Sequence, residues 1–220
     1  MKTVRHLTVG VLLVMAGVAV GVRYGARFRE LIRLARGNEC FRTERYERMV
    51  RNHVRMDAQI EDEAVYYLGD SHIYGYFVGG GVNYGIGSDT TDGLLARLPL
   101  YHSISNGTKF VIEIGCNDYM VTKNAQEVAA RIVRIVDYLP RPSEKVVCSL
   151  LPSAKGENSR FNREVNACLK RSSQGGTFKY VDLYSALAGA DGNLLSAYDS
   201  GDGTHLNADG YKVFKRMISQ

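Results

Sequence analysis

Short apolar runs alternate with segments of helical periodicity over most of this chain. Four runs of four to six residues are rich in β-branched and aromatic side chains, which is typical of buried strands. They are VYYL (65–68), FVIEI (110–114), KVVCSL (145–150) and FKYVDL (178–183). The runs predict four strands in the C-terminal two thirds of the chain.

Helical periodicity predicts helices between these strands and after the last one. The clearest pattern begins at Asn124, a predicted N-cap with Glu127 as its capping-box-like partner. Its apolar positions are Ala125, Val128, Ala129, Ile132, Ile135, Val136 and Leu139. A second helix is predicted over 161–169, and Asn207 is predicted to cap a terminal one. Strands alternating with helices predict an α/β fold in which helices cover both faces of a mostly parallel sheet, a three-layer α/β/α sandwich.

An uncharged apolar run over residues 7–22 follows Lys2 and Arg5 near the N-terminus. This layout is typical of a signal peptide, and the run is slightly shorter than the ~20 residues of a spanning helix. Five arginines follow within residues 23–36 and oppose translocation of that flank. We therefore expect an N-terminal apolar helix that acts as an uncleaved membrane anchor. A cleaved signal with a secreted or periplasmic domain is the alternative, and the side of the membrane stays open.

Composition divides the chain into three parts: an apolar segment with a basic flank (1–36), a polar connecting surface helix (37–63) and a globular domain (64–220). Apolar residues make up 45% of the chain, enough for a core without disulfides. The four cysteines have no C-x-x-C spacing, so we favour packed free thiols over a zinc site or a bridge.

The distribution of charge excludes one class of partner. Residues 1–36 carry a net charge of +6 against +5 for the whole chain, so the remainder carries −1. The basic pI of 9.0 therefore reflects the N-terminal segment. Because the globular part has no excess positive charge to bind phosphates, we expect no nucleic-acid partner.

Polar segments stand directly after two predicted strands and before the last predicted helix. Gly69-Asp70-Ser71 follows the first strand, GCND (115–118) follows the second, and DGTH (202–205) precedes the terminal helix. In a parallel sheet the ligand site lies beyond the carboxyl ends of the strands. The segments are therefore expected to meet there.

These segments contain the parts of an acyl-transfer site. A serine hydroxyl is a weak nucleophile and needs a neighbouring base, which His205 can supply to Ser71. Asp202 is close enough in sequence to hold the imidazole in the correct tautomer through one tight turn. The side-chain amide of Asn117 can stabilise the oxyanion that forms when an ester is attacked.

In four short blocks, residues 65–218 resemble the SGNH/GDSL hydrolases. GDSHIYGY resembles the first block, NYGIGSDTTDGLLARLP (83–99) the second, GCND the third and DGTHLNADGY the fifth. The resemblance implies a flavodoxin-like sheet, with Ser71 as nucleophile and Asp202 and His205 as the catalytic pair. It also implies that the oxyanion is held by the Ser71 N–H, a backbone N–H of the second block and Asn117.

The second block departs from the family at one position. Many relatives have glycine immediately before the aspartate of this block, whereas here Ser88 stands there and Gly87 precedes it. Because the donor is a backbone N–H, serine can serve if its dihedral angles allow. We favour Ser88 by position, with Gly87 as the alternative. The implied mechanism needs no metal and no cofactor.

Several neighbouring residues are given structural roles. We expect His72 to line the pocket or to bond to the backbone. Asp70, Asp89 and Asp118 are expected to brace the loops.

The residues favour hydrolysis of carboxylic esters, by an acyl esterase, a lysophospholipase or a thioesterase. A small-molecule or lipid-like ester is the expected substrate. The first alternative is an O-acetyl esterase or acetyltransferase that acts on a carbohydrate or envelope polymer. The second is an inactive membrane-tethered binding module. The retained Ser71, Asn117, Asp202 and His205 argue against the last.

Overall fold

The computed structural model describes residues 43–61, 64–76 and 80–219. The predictions for residues 1–36, including the apolar helix, and for the first part of the connecting segment lie outside these residues. Within the described part of the chain, no helix is both long enough and apolar enough to cross a membrane.

Five parallel strands form one sheet, in the order β2-β1-β3-β4-β5. The strands are β1 (Val65–Gly69), β2 (Val82–Gly85), β3 (Lys109–Glu113), β4 (Glu144–Cys148) and β5 (Lys179–Val181). The order 2-1-3-4-5 is that of flavodoxin-like doubly wound sheets, so the predicted parallel sheet is confirmed. Gly69 pairs with both Gly85 and Glu113, which places the ends of three strands side by side.

The edge strand β2 was not predicted as a strand. It has only four residues (VNYG) and two of them are Asn and Gly, which are depleted in strands. Pairing with β1 holds this segment extended, and its own pattern is too short to indicate it.

Helices cover both faces of the sheet. They are α1 (Glu44–Asp57), α2 (Ser71–Tyr74), α3 (Thr91–Arg97), α4 (Ala125–Tyr138), α5 (Gly156–Ser172), α6 (Leu183–Leu187) and α7 (Ala208–Ile218). One apolar core contains Tyr66 and Leu68 of β1 with residues of α3, α4 and α5. The other contains Tyr67 with residues of α6 and α7. Successive β1 side chains thus point to opposite layers, as in an α/β/α sandwich.

The predicted caps are present. The side chain of Asn124 accepts a hydrogen bond from the backbone N–H of Glu127, and α4 begins at the next residue. Asn207 accepts from the N–H groups of Asp209 and Gly210 at the start of α7. Each such cap stabilises a helix by about 1 kcal/mol.

Helix α1 is part of the packing of the domain as well as a connection to it. The Tyr46 hydroxyl donates to the carbonyl of Gly93, and the buried Asp57 carboxylate accepts from the hydroxyls of Tyr84 and Ser103. The bond of Tyr46 holds the N-terminal turn of α1 against α3, and the bonds of Asp57 hold the C-terminal end of α1.

Candidate active site

Four loops meet at the carboxyl edge of the sheet. Gly69-Asp70-Ser71 leaves β1, residues 86–90 leave β2 and residues 115–118 leave β3. The 202–205 turn precedes α7 in the chain and lies at the same edge of the sheet. The structure thus brings together the segments that the sequence predicts to meet.

Glycines occupy the two crowded strand ends. A Cβ atom at Gly69 would lie 2.0 Å from the backbone oxygen of Glu113, so no larger residue fits where β1 meets β3. Gly115 has φ 127°, a backbone conformation that L side chains rarely adopt. These constraints explain the glycines that begin the GDS and GCND segments.

Ser71, His205 and Asp202 form a hydrogen-bonded chain. The Ser71 hydroxyl lies 3.0 Å from Nε2 of His205, and Nδ1 of His205 lies 2.5 Å from Oδ2 of Asp202. The other carboxylate oxygen of Asp202 accepts from the backbone N–H groups of Thr204 (2.9 Å) and His205 (2.8 Å). One tight turn therefore brings the carboxylate to the ring, as the sequence spacing predicts.

The charge on Asp202 fixes the state of the imidazole. Hydrogen bonds from the His205 side chain and backbone hold the pKa of Asp202 well below its usual range. The carboxylate is therefore ionised and accepts the proton on Nδ1. The lone pair of Nε2 then faces Ser71, which is the arrangement a general base requires.

The residues that the sequence suggests as oxyanion donors line one cleft with Ser71. The Asn117 amide donates one N–H to the carbonyl of Asp89 at 2.9 Å. This bond orients the amide, and its second N–H can donate to another acceptor. Ser88 is exposed and has φ 64°, the one positive φ of a non-glycine residue in the described part of the chain. A left-handed backbone here explains why glycine suits this position, and serine adopts it at a cost of about 1–2 kcal/mol. Both Ser88 and Gly87 line the cleft.

The cleft above Ser71 has a volume of about 430 Å³. Its walls include Asn117, Leu206 and Tyr211, together with Arg45 of α1. A larger depression of about 600 Å³ lies elsewhere, between Val136 and Thr177. No histidine is among its described lining residues, and the hydroxyl of its serine, Ser143, donates to the carbonyl of Pro140. The chemistry therefore points to the smaller cleft.

A buried arginine joins the loops after β1 and β2. Arg97 donates to the Asp89 carboxylate at 2.8 Å, to the carbonyl of Tyr84 at 2.7 Å and to that of Gly69 at 3.0 Å. Burial raises the pKa of Asp89 to about 6, although the charge of Arg97 opposes the shift. The expected bracing role of Asp89 is thus observed, but its partner Arg97 was not singled out in the sequence.

Asp118 braces the next loop along the edge. Its carboxylate accepts from the backbone N–H of Thr91 at 2.9 Å and from the Thr91 hydroxyl, and Arg131 lies 3.2 Å away. Burial raises the pKa of Asp118 to about 6, against the effect of its hydrogen bonds with Thr91.

An ionisable cluster lies behind the nucleophile. His72 Nδ1 lies 3.3 Å from Glu113 and 3.5 Å from Asp70, while the Cys116 thiol donates to Asp70 at 3.2 Å. The Nε2 atom of His72 bonds to the backbone oxygen of Thr204, in agreement with the expected backbone contact. Asp70, His72 and Cys116 each offer one potential metal-ligand atom, and these atoms lie within 4.8 Å of one another. Glu113 lies within an apolar strand run, and no local pattern indicates its role.

The fold and the site together define a class. A doubly wound parallel sheet with a serine–histidine–aspartate chain at its carboxyl edge is typical of serine hydrolases with an α/β fold. Residues 67–213 match the model of the GDSL-like Lipase/Acylhydrolase family, so the chain belongs to this family. It is an ester-hydrolysing serine hydrolase, as the four sequence blocks predict.

Solved structures share this fold. A GDSL-like lipase from Bacteroides thetaiotaomicron is 18% identical with a TM-score of 0.71, over 78% of this chain and 95% of that one. A lipase/acylhydrolase from Enterococcus faecalis is 17% identical with a TM-score of 0.60, over 71% and 93%. An acetylxylan esterase from Geobacillus stearothermophilus is 17% identical with a TM-score of 0.58, over 73% and 94%. A search of the curated proteins found no match.

Proposed function

We propose that the chain hydrolyses carboxylic esters through a covalent acyl-enzyme on Ser71. The observation that carries this proposal is the hydrogen-bonded chain from Ser71 through His205 to Asp202, with distances of 3.0 Å and 2.5 Å. A serine, a correctly oriented imidazole and an ionised carboxylate are the groups that carry out nucleophilic attack and proton transfer in this chemistry.

In the first half of the reaction, Nε2 of His205 takes the proton of the Ser71 hydroxyl as the oxygen attacks the ester carbonyl. The tetrahedral intermediate carries a negative oxygen. It accepts hydrogen bonds from the Ser71 N–H, the Ser88 N–H and the free N–H of the Asn117 amide. His205 then returns the proton to the leaving alcohol, and the carbon–oxygen bond of the ester breaks.

In the second half, water replaces the alcohol. His205 takes a proton from the water as its oxygen attacks the acyl carbon. The bond between that carbon and the Ser71 oxygen then breaks, His205 returns the proton to Ser71, and the acid leaves. Asp202 stays ionised throughout and stabilises the imidazolium that forms in each half. Losing one oxyanion donor typically costs about 100- to 1000-fold in rate.

Removal of an O-acetyl group from a carbohydrate is the second candidate. The cleft is small, at about 430 Å³, and hydroxyl, amide and guanidinium groups stand in its wall, which suits a short acyl group on a polar alcohol. A structure with the same fold is an acetylxylan esterase. The same residues would act, so acyl-chain preference separates this candidate from hydrolysis of lipid-like esters.

The test is hydrolysis of p-nitrophenyl acetate, butyrate and octanoate by the full chain and by Ser71→Ala. We expect turnover by the wild-type chain and none by the variant, with circular dichroism as the control for folding. A preference for acetate supports the carbohydrate O-acetyl candidate, and a preference for octanoate supports lipid-like esters. Equal turnover by both proteins would contradict the role of Ser71.

A further inference from the structure

The cluster behind Ser71 has no part in the mechanism above. Asp70 and Glu113 are fully buried and His72 is 2% exposed, and none of the three lines the cleft. Ionisable groups are rarely buried without a role, because burying a charge costs free energy unless it is paired. The cluster stands between β1, β3 and the 202–205 turn.

The contacts of His72 fix its protons. The carbonyl of Thr204 can only accept, so Nε2 of His72, 3.1 Å away, carries a hydrogen. The Nδ1 atom faces the Glu113 and Asp70 carboxylates at ion-pair distance, although the alignment falls short of a hydrogen bond. A bare lone pair on Nδ1 would be repelled by these oxygens, so a proton lies between the ring and the carboxylates. Burial opposes the charge on His72, but the charge of Glu113 and the side-chain interactions with Asp70 and Cys116 together outweigh it, and the pKa of His72 is well above its ordinary value.

Hydrogen bonds, more than packing, hold the catalytic side chains of the 202–205 turn. The side chains of Asp202 and His205 are 51% and 43% exposed, so packing alone does not fix them. Hydrogen bonds hold the backbone of the turn. The N–H of Ser200 donates to the carbonyl of His205, and the carboxylate of Asp199 accepts from the N–H of Gly203. Two successive carbonyls of the turn accept from other parts of the chain. Gly203 accepts from Ser153 and from the N–H of Ala154, and Thr204 accepts from His72.

We propose that His72, held by Glu113, is a positioning residue that anchors the Thr204 carbonyl and thereby keeps His205 aligned with Ser71. The proposal rests on the catalytic roles given above. The rings of His72 and His205 lie 5.7 Å apart without a direct bond, so His72 acts through the backbone of the turn. A displacement of about 1 Å in a catalytic group can cost on the order of 100-fold in rate.

Two amide variants of the full chain test the proposal. His72→Gln places a side-chain N–H where Nε2–H was, within reach of Thr204. His72→Asn is shorter and places its amide near the position of Nδ1, facing Glu113. We expect kcat to fall roughly 10- to 100-fold in His72→Asn with KM within about twofold, and to stay within about threefold in His72→Gln. The downfield proton resonance of the Asp202–His205 hydrogen bond is expected to broaden only in the asparagine variant.

Equal kcat in the two variants, or a loss that follows their free energies of unfolding, would overturn the proposal. If both variants fold poorly, Glu113→Gln keeps the side-chain volume and removes the charge, and we expect kcat to fall roughly three- to tenfold at unchanged KM. Unchanged kcat in that variant would count against the proposal. A stoichiometric metal ion in the purified chain, with activity lost when a chelator removes it, would also count against the proposal. Nδ1 of His72 would then be a metal ligand.

A second, independent observation concerns Arg45 at the mouth of the cleft. Its guanidinium lies 5.9 Å from the centre of the Tyr74 ring and close to Gly87, where an added Cβ atom would be 3.3 Å from it. Among the residues that the structure describes, no carboxylate forms an ion pair with Arg45. No aspartate or glutamate is among the described residues that line the cleft.

This geometry points to an ester that carries an anionic group, a carboxylate or a phosphate, next to the reacting bond. A guanidinium matches the paired oxygens of both groups and stays charged at all relevant pH values. The inference deepens the proposed ester hydrolysis by adding a class of substrate. Arg45 would select that substrate and take no part in the bond changes.

The test compares 4-acetoxybenzoate with 4-acetoxybenzamide, two acetyl esters of similar shape that differ in charge. In Arg45→Gln, kcat/KM for the benzoate is expected to fall roughly three- to tenfold relative to the amide. Added salt should reduce the preference of the wild-type chain for the benzoate. An unchanged ratio in the variant would overturn the inference while leaving ester hydrolysis intact. Absence of wild-type turnover on both esters would contradict ester hydrolysis and this inference with it.

Discussion

Nε2 of His205 lies 3.0 Å from the Ser71 hydroxyl, although 134 positions separate the two residues along the chain. The serine follows strand β1, which lies between β2 and β3 in the sheet, and the histidine stands in a turn that is braced by its own aspartate. The fold brings them together because both segments end at the carboxyl edge of one parallel sheet. Substitutions in the active site are expected to change kcat, and substitutions of the buried residues that hold its loops are expected to change the free energy of unfolding.

Asp202→Asn should lower kcat by about 100-fold or more, because an amide can hold the imidazole in the wrong tautomer. The effect should appear in kcat with little change in the free energy of unfolding, since the side chain is half exposed. Steady-state kinetics with p-nitrophenyl acetate measures it. Activity near that of the wild type would remove Asp202 from the mechanism.

Asn117→Ala and Ser88→Gly should separate a side-chain donor from a backbone donor. Loss of the amide is expected to lower kcat about 100- to 1000-fold. Ser88→Gly keeps the backbone N–H and suits φ 64°, so its kcat should stay close to that of the wild type. The two variants assayed side by side provide the comparison. A large loss in Ser88→Gly would mean that the serine side chain itself takes part.

Arg97→Met should destabilise the domain by about 3–5 kcal/mol, because Asp89 would be left buried without its ionic partner. Lys212→Met is the matched control, since it removes a cation from the exposed pair with Asp209 and should leave the free energy of unfolding nearly unchanged. Urea denaturation of the three proteins measures both effects. If Arg97→Met changed the free energy of unfolding only slightly, the loops after β1 and β2 would keep their structure without the ion pair between Arg97 and Asp89.

Stability should decrease as pH rises from about 4 to about 6. The pKa values of Asp89 and Asp118 are raised to about 6 from 3.8, and that of Glu113 is raised to about 7 from 4.5, so these carboxyl groups hold more protons in the folded chain than in the unfolded chain over this interval. Burial lowers the pKa of His53 to about 3, which opposes the decrease, but it is one group against three. Asp202 has a lowered pKa, so its contribution is present above 3.8 and is lost only at lower pH. Urea denaturation across this range should show the decrease, with a shallower slope in Asp118→Asn. A flat profile would indicate that these carboxyl groups titrate normally.

Sequence patterns predict the parts of this fold that depend on local interactions. Four of the five strands, the N-caps at Asn124 and Asn207 and the parallel sheet follow from periodicity and capping chemistry. The sequence also places Ser71 and Asn117 in one site, because strand ends in a parallel sheet share an edge. The spacing of Asp202 and His205 predicts their contact through one tight turn. Strand β2 was missed because pairing, more than its own four residues, holds it extended.

The residues that hold or flank the catalytic groups do so through contacts between segments that are distant in the sequence. Local patterns of periodicity and capping therefore could not predict their roles. Glu113 reaches His72 only because β3 lies beside β1 in a register that pairs Glu113 with Gly69. Arg97 reaches Asp89 through the fold of α3, and Arg45 reaches the cleft only after α1 packs on the domain. A single charged residue in a helix or strand pattern does not indicate which partner it will meet.

Covalent labelling of Ser71 tests the central claim most directly. The full chain would be treated with a fluorophosphonate probe, and the adduct located by mass spectrometry of the digested protein. One adduct per chain on the peptide that contains Ser71, absent in Ser71→Ala and much slower to form when Asp202 is replaced by asparagine, is the predicted result. Labelling of another residue, or none in a folded and active chain, would contradict the assignment of Ser71 as the nucleophile.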